Sequence, residues 1–250
     1  METVYVYDGS FEGLLTAVFD TYLRKEEPIL ISESNNFQLL LDTLVYNVIT
    51  DDEKAERVIK KVTETVGAHG LLTIYRAFLS KEEGRAKSIL YYIRLLMKMG
   101  KEAEHFLGNE YVMNVMEMAR KTANEAHLLK GFLRFGSLSD GTFYAEFSPK
   151  TDCLIFLAEH FKKRLSNVPF IINDLANKKA ALWKNGELDI FPYTEFEKPS
   201  YDASEKDFRK MWKDFYDTVA VEGRENEKCR MTHMPKRFWK HIIEVSGDVV

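Results

Sequence analysis

The first part of the chain alternates apolar and polar positions in a way that predicts a strand, a helix and a second strand. Val4–Tyr7 is predicted to be a short strand that ends in a glycine-containing turn. Ser10 suits the N-cap of a helix that runs to about Arg24, because serine is among the preferred residues at that position. Pro28 ends this helix, and a second short apolar run follows. Residues 1–36 are therefore predicted to form a strand–helix–strand unit that packs on the C-terminal part.

The next region, residues 37–131, shows the three- and four-residue spacing of amphipathic helices. We expect one helix over Phe37–Asn47. A longer helix is predicted over Glu110–Lys130 and should end at Gly131, because glycine is favoured just past helix ends. The whole region is predicted to be helical.

After residue 131 the apolar period shortens to two, which indicates strands. Phe132–Leu138 and Thr142–Phe147 flank Ser139-Asp140-Gly141, a strong hairpin turn. A helix and two further strands are predicted next, over Asp152–Leu165, Val168–Asn173 and Ala180–Trp183. The pattern predicts a small antiparallel β-β-α-β-β unit, so we expect a helix-rich protein of the α+β class.

A later amphipathic helix is predicted to begin at Glu205 and to reach Val221. Its apolar side chains recur at helical spacing and form one stripe. The stripe contains Phe208, Met211, Trp212, Phe215, Tyr216 and Val219. With this helix and the closing segment, the C-terminal part spans residues 132–250. We expect either three parts, 1–36, 37–131 and 132–250, or one integrated domain that contains all three.

Composition narrows the class of protein. The net charge of −4 and the charged content of 30% are those of an ordinary globular protein. The two cysteines, Cys153 and Cys229, predict neither a disulfide framework nor an iron–sulfur cluster, which usually requires four thiolates. The sequence shows no signal-peptide pattern and no run long enough to span a bilayer. We therefore expect a cytoplasmic protein with no membrane partner, metal or cofactor.

The segment Met231–His241 holds three cations, two histidines and two aromatic residues, but no acid. Such a basic-aromatic helix suits a polyanion, with Arg237 and Lys240 facing outward and Trp239 available to a ligand. The same pattern equally predicts a closing helix whose Phe238 and Trp239 rings fill a core.

The helix predicted over Asp152–Leu165 carries a second candidate group. Phe156, His160 and Arg164 recur every four residues along one flank. An aromatic ring, an imidazole and a guanidinium in this order are suited to stack a base and hold a phosphate. The alternative is a half-exposed flank on which Arg164 pairs with a nearby carboxylate.

Arg134 and the first strand-to-helix turn supply the remaining candidates. A buried Arg134 needs a fixed anion, either a carboxylate such as Glu146 on the paired strand or the phosphate of a ligand. Asp8 would repel a phosphate at the helix N-terminus, so Asp8 and Ser10 are predicted to cap the helix. The common nucleotide-binding, zinc-protease and serine-hydrolase motifs are missing from the sequence, so the residues name no reaction.

Four segments together resemble a bacterial family of probable DNA-metabolism proteins. They are Tyr5–Leu15, Phe132–Phe135, His160–Arg164 and Met234–Lys240. The resemblance implies a companion of a radical-SAM protein thought to act on DNA, and in some relatives the module is fused to a uracil-DNA-glycosylase-type domain. The family pattern falls on Asp8, Arg134, His160, Arg164, Arg237 and Trp239.

The leading hypothesis is an accessory module of a bacterial DNA repair or modification system that binds DNA or a nucleotide, its partner enzyme, or both. Phosphate contacts are assigned to Arg134, His160, Arg164, Arg237 and Lys240, and base stacking to Phe156 and Trp239. The alternative is an enzyme that acts on a nucleotide or damaged base, with His160 as acid or base. A second alternative is a purely structural interaction module, which predicts a large exposed apolar patch.

Overall fold

The computed structural model describes residues 2–33, 43–197, 199–219 and 226–245. The chain divides into two compact units, Met1–Ala123 and Asn124–Val250. The division falls within helix α4, Glu110–Phe132. Across the described ranges, no helix is both long and apolar enough to cross a membrane.

The first unit combines a three-stranded parallel sheet with helices. The strands are β1 (Glu2–Val6), β2 (Leu30–Ser32) and β3 (Thr43–Asn47), in the order β2-β1-β3. The helices that precede α4 are α1 (Phe11–Arg24), α2 (Asp52–Leu79) and α3 (Arg85–Met99), followed by a 3-10 helix over Gly100–His105. Helix α1 packs against α2, and α2 packs against α3. The predicted strand–helix–strand opening corresponds to β1, α1 and β2.

Two local features shape the helices of this unit. Leu14, Leu15 and Val18 form the fully buried face of α1, as their spacing predicts. Helix α2 is kinked at Gly67, whose φ of 74° lies in the left-handed region that glycine adopts without strain. The predicted helical region is therefore a set of packed helices that contains one sharp bend.

The second unit is built on a five-stranded sheet. Its strands are β4 (Gly136–Ser137), β5 (Phe143–Phe147), β6 (Phe170–Asp174), β7 (Lys179–Lys184) and β8 (Glu187–Pro192), in sequence order across the sheet. Its helices are α5 (Leu154–Arg164), α6 (Glu205–Val219) and α7 (Glu227–His233), with a 3-10 helix over Lys236–His241. The α+β class is confirmed.

The core of the second unit lies between α5 and one face of the sheet. Leu157 and Phe161 of α5 are buried in one hydrophobic cluster with Phe170 and Ile172 of β6. Phe238 from the closing 3-10 helix joins this cluster with only 2% of its surface exposed. The closing segment is therefore anchored in the core through Phe238.

The helix predicted over Phe37–Asn47 is wrong where the structure describes it. Thr43–Asn47 forms β3, which pairs in parallel with β1 from Glu2↔Thr43 to Val6↔Asn47. Residues 37–42 lie outside the described part of the chain. The partner strand is about forty residues away in sequence, so the local pattern of apolar residues could not reveal the pairing.

The strand predicted over Phe132–Leu138 is also wrong in its first half. Phe132 is the last residue of α4, and the Leu133 amide still donates to the Leu129 carbonyl. Only Gly136–Ser137 pairs with β5, through the predicted hairpin turn. A short apolar run fits a helix end as well as a strand, and here packing against the core decides in favour of the helix.

The predicted antiparallel unit needs a correction as well. β5 and β6 are parallel, while the β4–β5, β6–β7 and β7–β8 pairs are antiparallel. Helix α5 connects β5 to β6 as a crossover, and a crossover returns the chain to the same end of the sheet. The described strands of this sheet are therefore mixed, with one parallel pair, β5–β6.

Candidate anion-binding site

A cavity of about 270 Å³ lies in the second unit beside the ends of α4 and α5. Three aromatic rings, Phe135, Phe143 and Phe161, form part of its wall. The ring centres of Phe135 and Phe161 lie 4.9 Å apart in an edge-to-face arrangement. Three cationic side chains also line it: Lys130, Arg134 and Arg164. The lining contains no acidic residue. A cavity with aromatic walls and cationic edges suits a flat anionic ligand.

Arg164 and its neighbours carry charge that no ion pair in the described part of the chain neutralises. Arg164 and Lys163 are exposed at the end of α5, and Lys130 is half-buried near the end of α4. In the described ranges, none of these three side chains forms an ion pair. Their positive charge is therefore available to an external anion.

His160 lies next to this group without lining the cavity. The centre of its ring lies 5.0 Å from the centre of the Phe161 ring, in an edge-to-face arrangement. Burial lowers the pKa of His160 below its ordinary value, and the nearby charges of Lys130, Arg164 and Lys163 lower it further. The imidazole is therefore neutral at pH 7 and adds no charge to the patch.

Arg134 lines the cavity, but its guanidinium is held by a carboxylate. Its Nε donates to Glu244 Oε2 at 3.2 Å and its Nη2 to Glu244 Oε1 at 2.5 Å. Its Nη1 donates to the Gly131 carbonyl at 2.7 Å. The suggested partner, Glu146, is therefore wrong: Arg134 does not lie on a strand, and Glu244 from the C-terminal segment takes that place.

Glu244 is well suited to fix Arg134. Its side chain is 5% exposed, and Oε2 also accepts a hydrogen bond from the Trp212 indole at 3.0 Å. Burial acts to raise the pKa of the Glu244 carboxyl, but the hydrogen bonds from Arg134 and Trp212 outweigh it and leave the pKa below its usual value. The carboxylate is therefore ionised and competes with any ligand anion for Arg134.

Arg237 and Lys240 differ in their surroundings. Arg237 Nη2 lies 3.3 Å from Glu125 Oε1, a side chain that is only 4% exposed. The Glu125 carboxylate also accepts hydrogen bonds from the backbone amides of Lys150 and Thr151. Lys240 is exposed. The Arg237 contact thus ties the closing segment to α4, whereas Lys240 faces solvent.

The two predicted stacking residues have contacts within the protein. The Trp239 indole donates to the Met234 carbonyl at 2.9 Å, and the guanidinium of Arg230 lies 4.8 Å from its ring centre. Lys236 approaches the same ring at 5.6 Å. Phe156 is half-buried and packs against the core of the second unit. Phe135 and Phe143, to which the sequence pattern assigns no binding role, are the half-buried aromatic rings at the cavity.

Asp8 and Ser10 lie in the first unit at the start of α1. Ser10 is the N-cap, and its Oγ accepts from the Gly13 amide at 2.8 Å. Asp8 Oδ1 accepts from the Ser10 amide, and Asp8 Oδ2 accepts from Thr50 Oγ1 at 2.8 Å. Burial acts to raise the pKa of Asp8, but these hydrogen bonds outweigh it and lower the pKa. Both residues thus stabilise the turn into the helix.

A serine, a histidine and a glutamate also meet in the second unit, an arrangement that the sequence did not indicate. Ser148 Oγ lies 3.1 Å from His241 Nε2, and His241 Nδ1 lies 4.0 Å from Glu146 Oε1. The adjoining cavity is about 10 Å³, room for roughly one water molecule. Glu146 lies in β5 and Ser148 directly follows that strand, but only the fold brings His241 to them. The cavity that Glu146 and His241 line has no space for a substrate.

The first unit has a larger groove of about 490 Å³ between α1, α2 and α3. Apolar side chains such as Val18 and Ile93 line it, and Arg57 covers the Phe19 ring at 4.8 Å. None of the residues predicted to bind phosphate lies there. Within the described residues, no three His, Cys, Asp or Glu side chains are grouped to hold a metal ion.

The sequence model of a family described as a domain of unknown function, DUF4130, matches residues 83–244, which is more than half of the chain. The chain belongs to the DUF4130 family. The DUF4130 match contains the whole lining of the cavity and also Glu244, whereas the Asp8 turn precedes it. No curated protein sequence matches the chain.

Proposed function

We propose that this DUF4130 protein is an accessory module of a bacterial DNA repair or modification system, and that it binds nucleic acid at the cavity beside α5. The observation that carries the proposal is a cavity with aromatic walls that Lys130 and Arg164 line, with Lys163 next to Arg164 in the chain. Among the described residues, none of these three cations forms an ion pair. Cations that track phosphates next to rings that stack bases are the usual composition of a site for single-stranded nucleic acid.

The contacts divide the predicted residues by role. Arg164, Lys130 and Lys163 would contact phosphate, because no carboxylate of the described protein neutralises them. Phe135 and Phe143 would face a base. Arg134 and Arg237 are held by buried carboxylates, so their first role is structural.

The partner enzyme follows from the resemblance. It would be a radical-SAM protein or a uracil-DNA-glycosylase-type protein, and the complex would work in the cytoplasm. The accessory module would then deliver a nucleic acid strand to the chemistry of its partner.

Salt dependence of binding tests the proposal. Three phosphate contacts to a single strand predict a slope of about −2 in log K against log salt, or about a 20-fold loss of affinity between 50 and 200 mM salt. Fluorescence anisotropy of a labelled oligothymidylate should show this loss. Arg164→Ala and Lys130→Ala should each reduce the slope by about 0.7.

Lys206→Ala is the matched control, because Lys206 is an exposed cation on α6 that does not line the cavity. It should leave the slope unchanged. Absence of binding at 50 mM salt, or equal effects of Lys206→Ala and Arg164→Ala, would contradict the proposal.

One observation favours a second function, an enzyme that acts on a nucleotide or damaged base. The neutral His160 imidazole beside Arg164 and Lys130 is able to take up a proton near a bound phosphate. Turnover of a uracil-containing oligonucleotide that disappears in His160→Gln, while binding persists, would support catalysis. No turnover between pH 5 and 9 would dismiss it.

A further inference from the structure

Helix α6 turns its apolar face to solvent. Its apolar side chains expose large fractions of their surface: Phe208 61%, Met211 64%, Trp212 43%, Phe215 57% and Val219 60%. By contrast, Glu205 and Arg209 of the same helix are mostly covered and form an ion pair at 2.8 Å. The helix therefore rests on the protein through polar side chains, the reverse of an ordinary surface helix.

The spacing of this apolar stripe fits another helix. Phe208, Trp212 and Phe215 follow at intervals of four and three residues, which aligns them along one side of α6. Side chains at this spacing insert between those of a facing helix. A contiguous exposed stripe of this kind marks an interaction surface.

The charges beside the stripe indicate what that helix carries. Asp207 and Asp214 lie four residues before and three residues after Met211, so both border the stripe on the Met211 side. Both are exposed, and neither forms an ion pair in the described ranges. The lysines of α6 lie on the opposite side of the helix. The edge of the stripe that faces solvent is therefore acidic.

The same acidic edge disfavours a second copy of the chain as the partner that covers the stripe. In a two-fold pairing of antiparallel α6 helices, the same border of both helices would meet. Asp207 and Asp214 would then face the same carboxylates of the other copy, and like charges brought together in this way are unfavourable.

We infer that the α6 stripe, defined as Phe208, Met211, Trp212, Phe215 and Val219, binds an amphipathic helix of another protein whose apolar side is flanked by lysine or arginine. The inference rests on the accessory role proposed above, since it specifies the chemistry of the partner. Trp212 of the stripe donates to Glu244, which holds Arg134 at the cavity, so Trp212 is left unchanged in the test. The substituted residues Asp207, Asp214 and Phe215 do not line the cavity, so each site can fail without the other.

Two synthetic helices test the inference. Both are labelled 18-residue peptides with leucines on one side; one has lysines flanking the leucines and the other has glutamates there. Anisotropy titrations with the full chain should give at least tenfold tighter binding of the lysine peptide. Asp207→Lys/Asp214→Lys should reverse this preference, and Phe215→Ser should weaken binding at least tenfold.

Phe106→Ser is the matched control, because Phe106 is 47% exposed in the first unit. The Phe106→Ser and Arg164→Ala variants should both bind the lysine peptide with the affinity of the wild type. This expectation for Arg164→Ala holds whether or not the substitution weakens nucleic acid binding. Equal affinity for both peptides, or no binding, would overturn the inference. A dimer by light scattering that Phe215→Ser converts to a monomer would also overturn it, because the occupant would then be a second copy.

Discussion

Replacing Glu244 with glutamine should lower stability and strengthen nucleic acid binding together. Glu244 Oε1 and Oε2 accept from Nη2 and Nε of Arg134, and Oε2 also accepts from the Trp212 indole. A glutamine has the same shape, but it carries no charge and offers a single acceptor oxygen. At least one of these donors then loses its acceptor.

The magnitude follows from the burial of the pair. Removing one partner of a fully buried ion pair costs about 3–5 kcal/mol. The Arg134 side chain is 23% exposed, so water partly replaces the lost partner. The free energy of unfolding should therefore fall by about 2–3 kcal/mol, or roughly 6–9 °C in Tm for a chain of this size.

The pH dependence gives a second readout. The lowered pKa of Glu244 means that its contribution is complete above the unfolded pKa of about 4.3. It is lost as the pH falls through the lower folded-state pKa. Glu244→Gln should therefore unfold with less dependence on pH below about pH 4.

Thermal unfolding by circular dichroism, paired with anisotropy at several salt concentrations, measures both effects. Arg134 released from Glu244 adds one phosphate contact, which should steepen the salt slope by about 0.7. Glu159→Gln is the control, because Glu159 pairs with Lys162 on the surface at 3.7 Å and should change stability by less than about 0.5 kcal/mol. A Tm equal to that of the control, or a shallower salt slope, would refute the reasoning.

Three further substitutions test the second unit, each followed by urea unfolding. Burial raises the pKa of Asp174 to about 6, so stability should fall as pH rises through 6, by on the order of 3 kcal/mol, and Asp174→Asn should remove this dependence. Glu125→Ala should cost about 3–5 kcal/mol, because it leaves the buried amide and hydroxyl of Thr151 without an acceptor. Gly136→Ala should cost about 1–3 kcal/mol, because the added Cβ would lie 2.7 Å from Tyr201 Cε1.

Local patterns in the sequence predicted the elements whose stabilising contacts are also local. The hairpin turn at Ser139–Gly141 and the helix predicted over Asp152–Leu165 both appear, the latter as α5, Leu154–Arg164. Their signals are a turn sequence and a repeating apolar face, each contained in a few residues. β3 was predicted as a helix because its defining contacts are made with β1, far away in the sequence.

Local sequence patterns also fail to show which charged residues of the candidate site are paired within the fold. Arg237 is predicted as a phosphate ligand because its segment contains no acid, and Arg134 because a buried guanidinium needs a fixed anion. Their partners, Glu244 and Glu125, lie 110 and 112 residues away, beyond the reach of any local pattern. Lys130 belongs to no motif, so the sequence gives no reason to select it, yet it lines the cavity.

Nucleic acid binding should therefore depend on the positive charge of those side chains that form no ion pair within the folded protein. A guanidinium with a buried carboxylate partner must break that contact before it binds phosphate, and the cost offsets much of the gain. Arg164 and Lys163 are exposed, and among the residues that the structure describes they have no carboxylate contact to break. Charge at these positions should control affinity and its salt dependence, whereas charge at Arg237 should chiefly control folding. The sequence shows how many cations the chain has, and only the fold shows which of them are available.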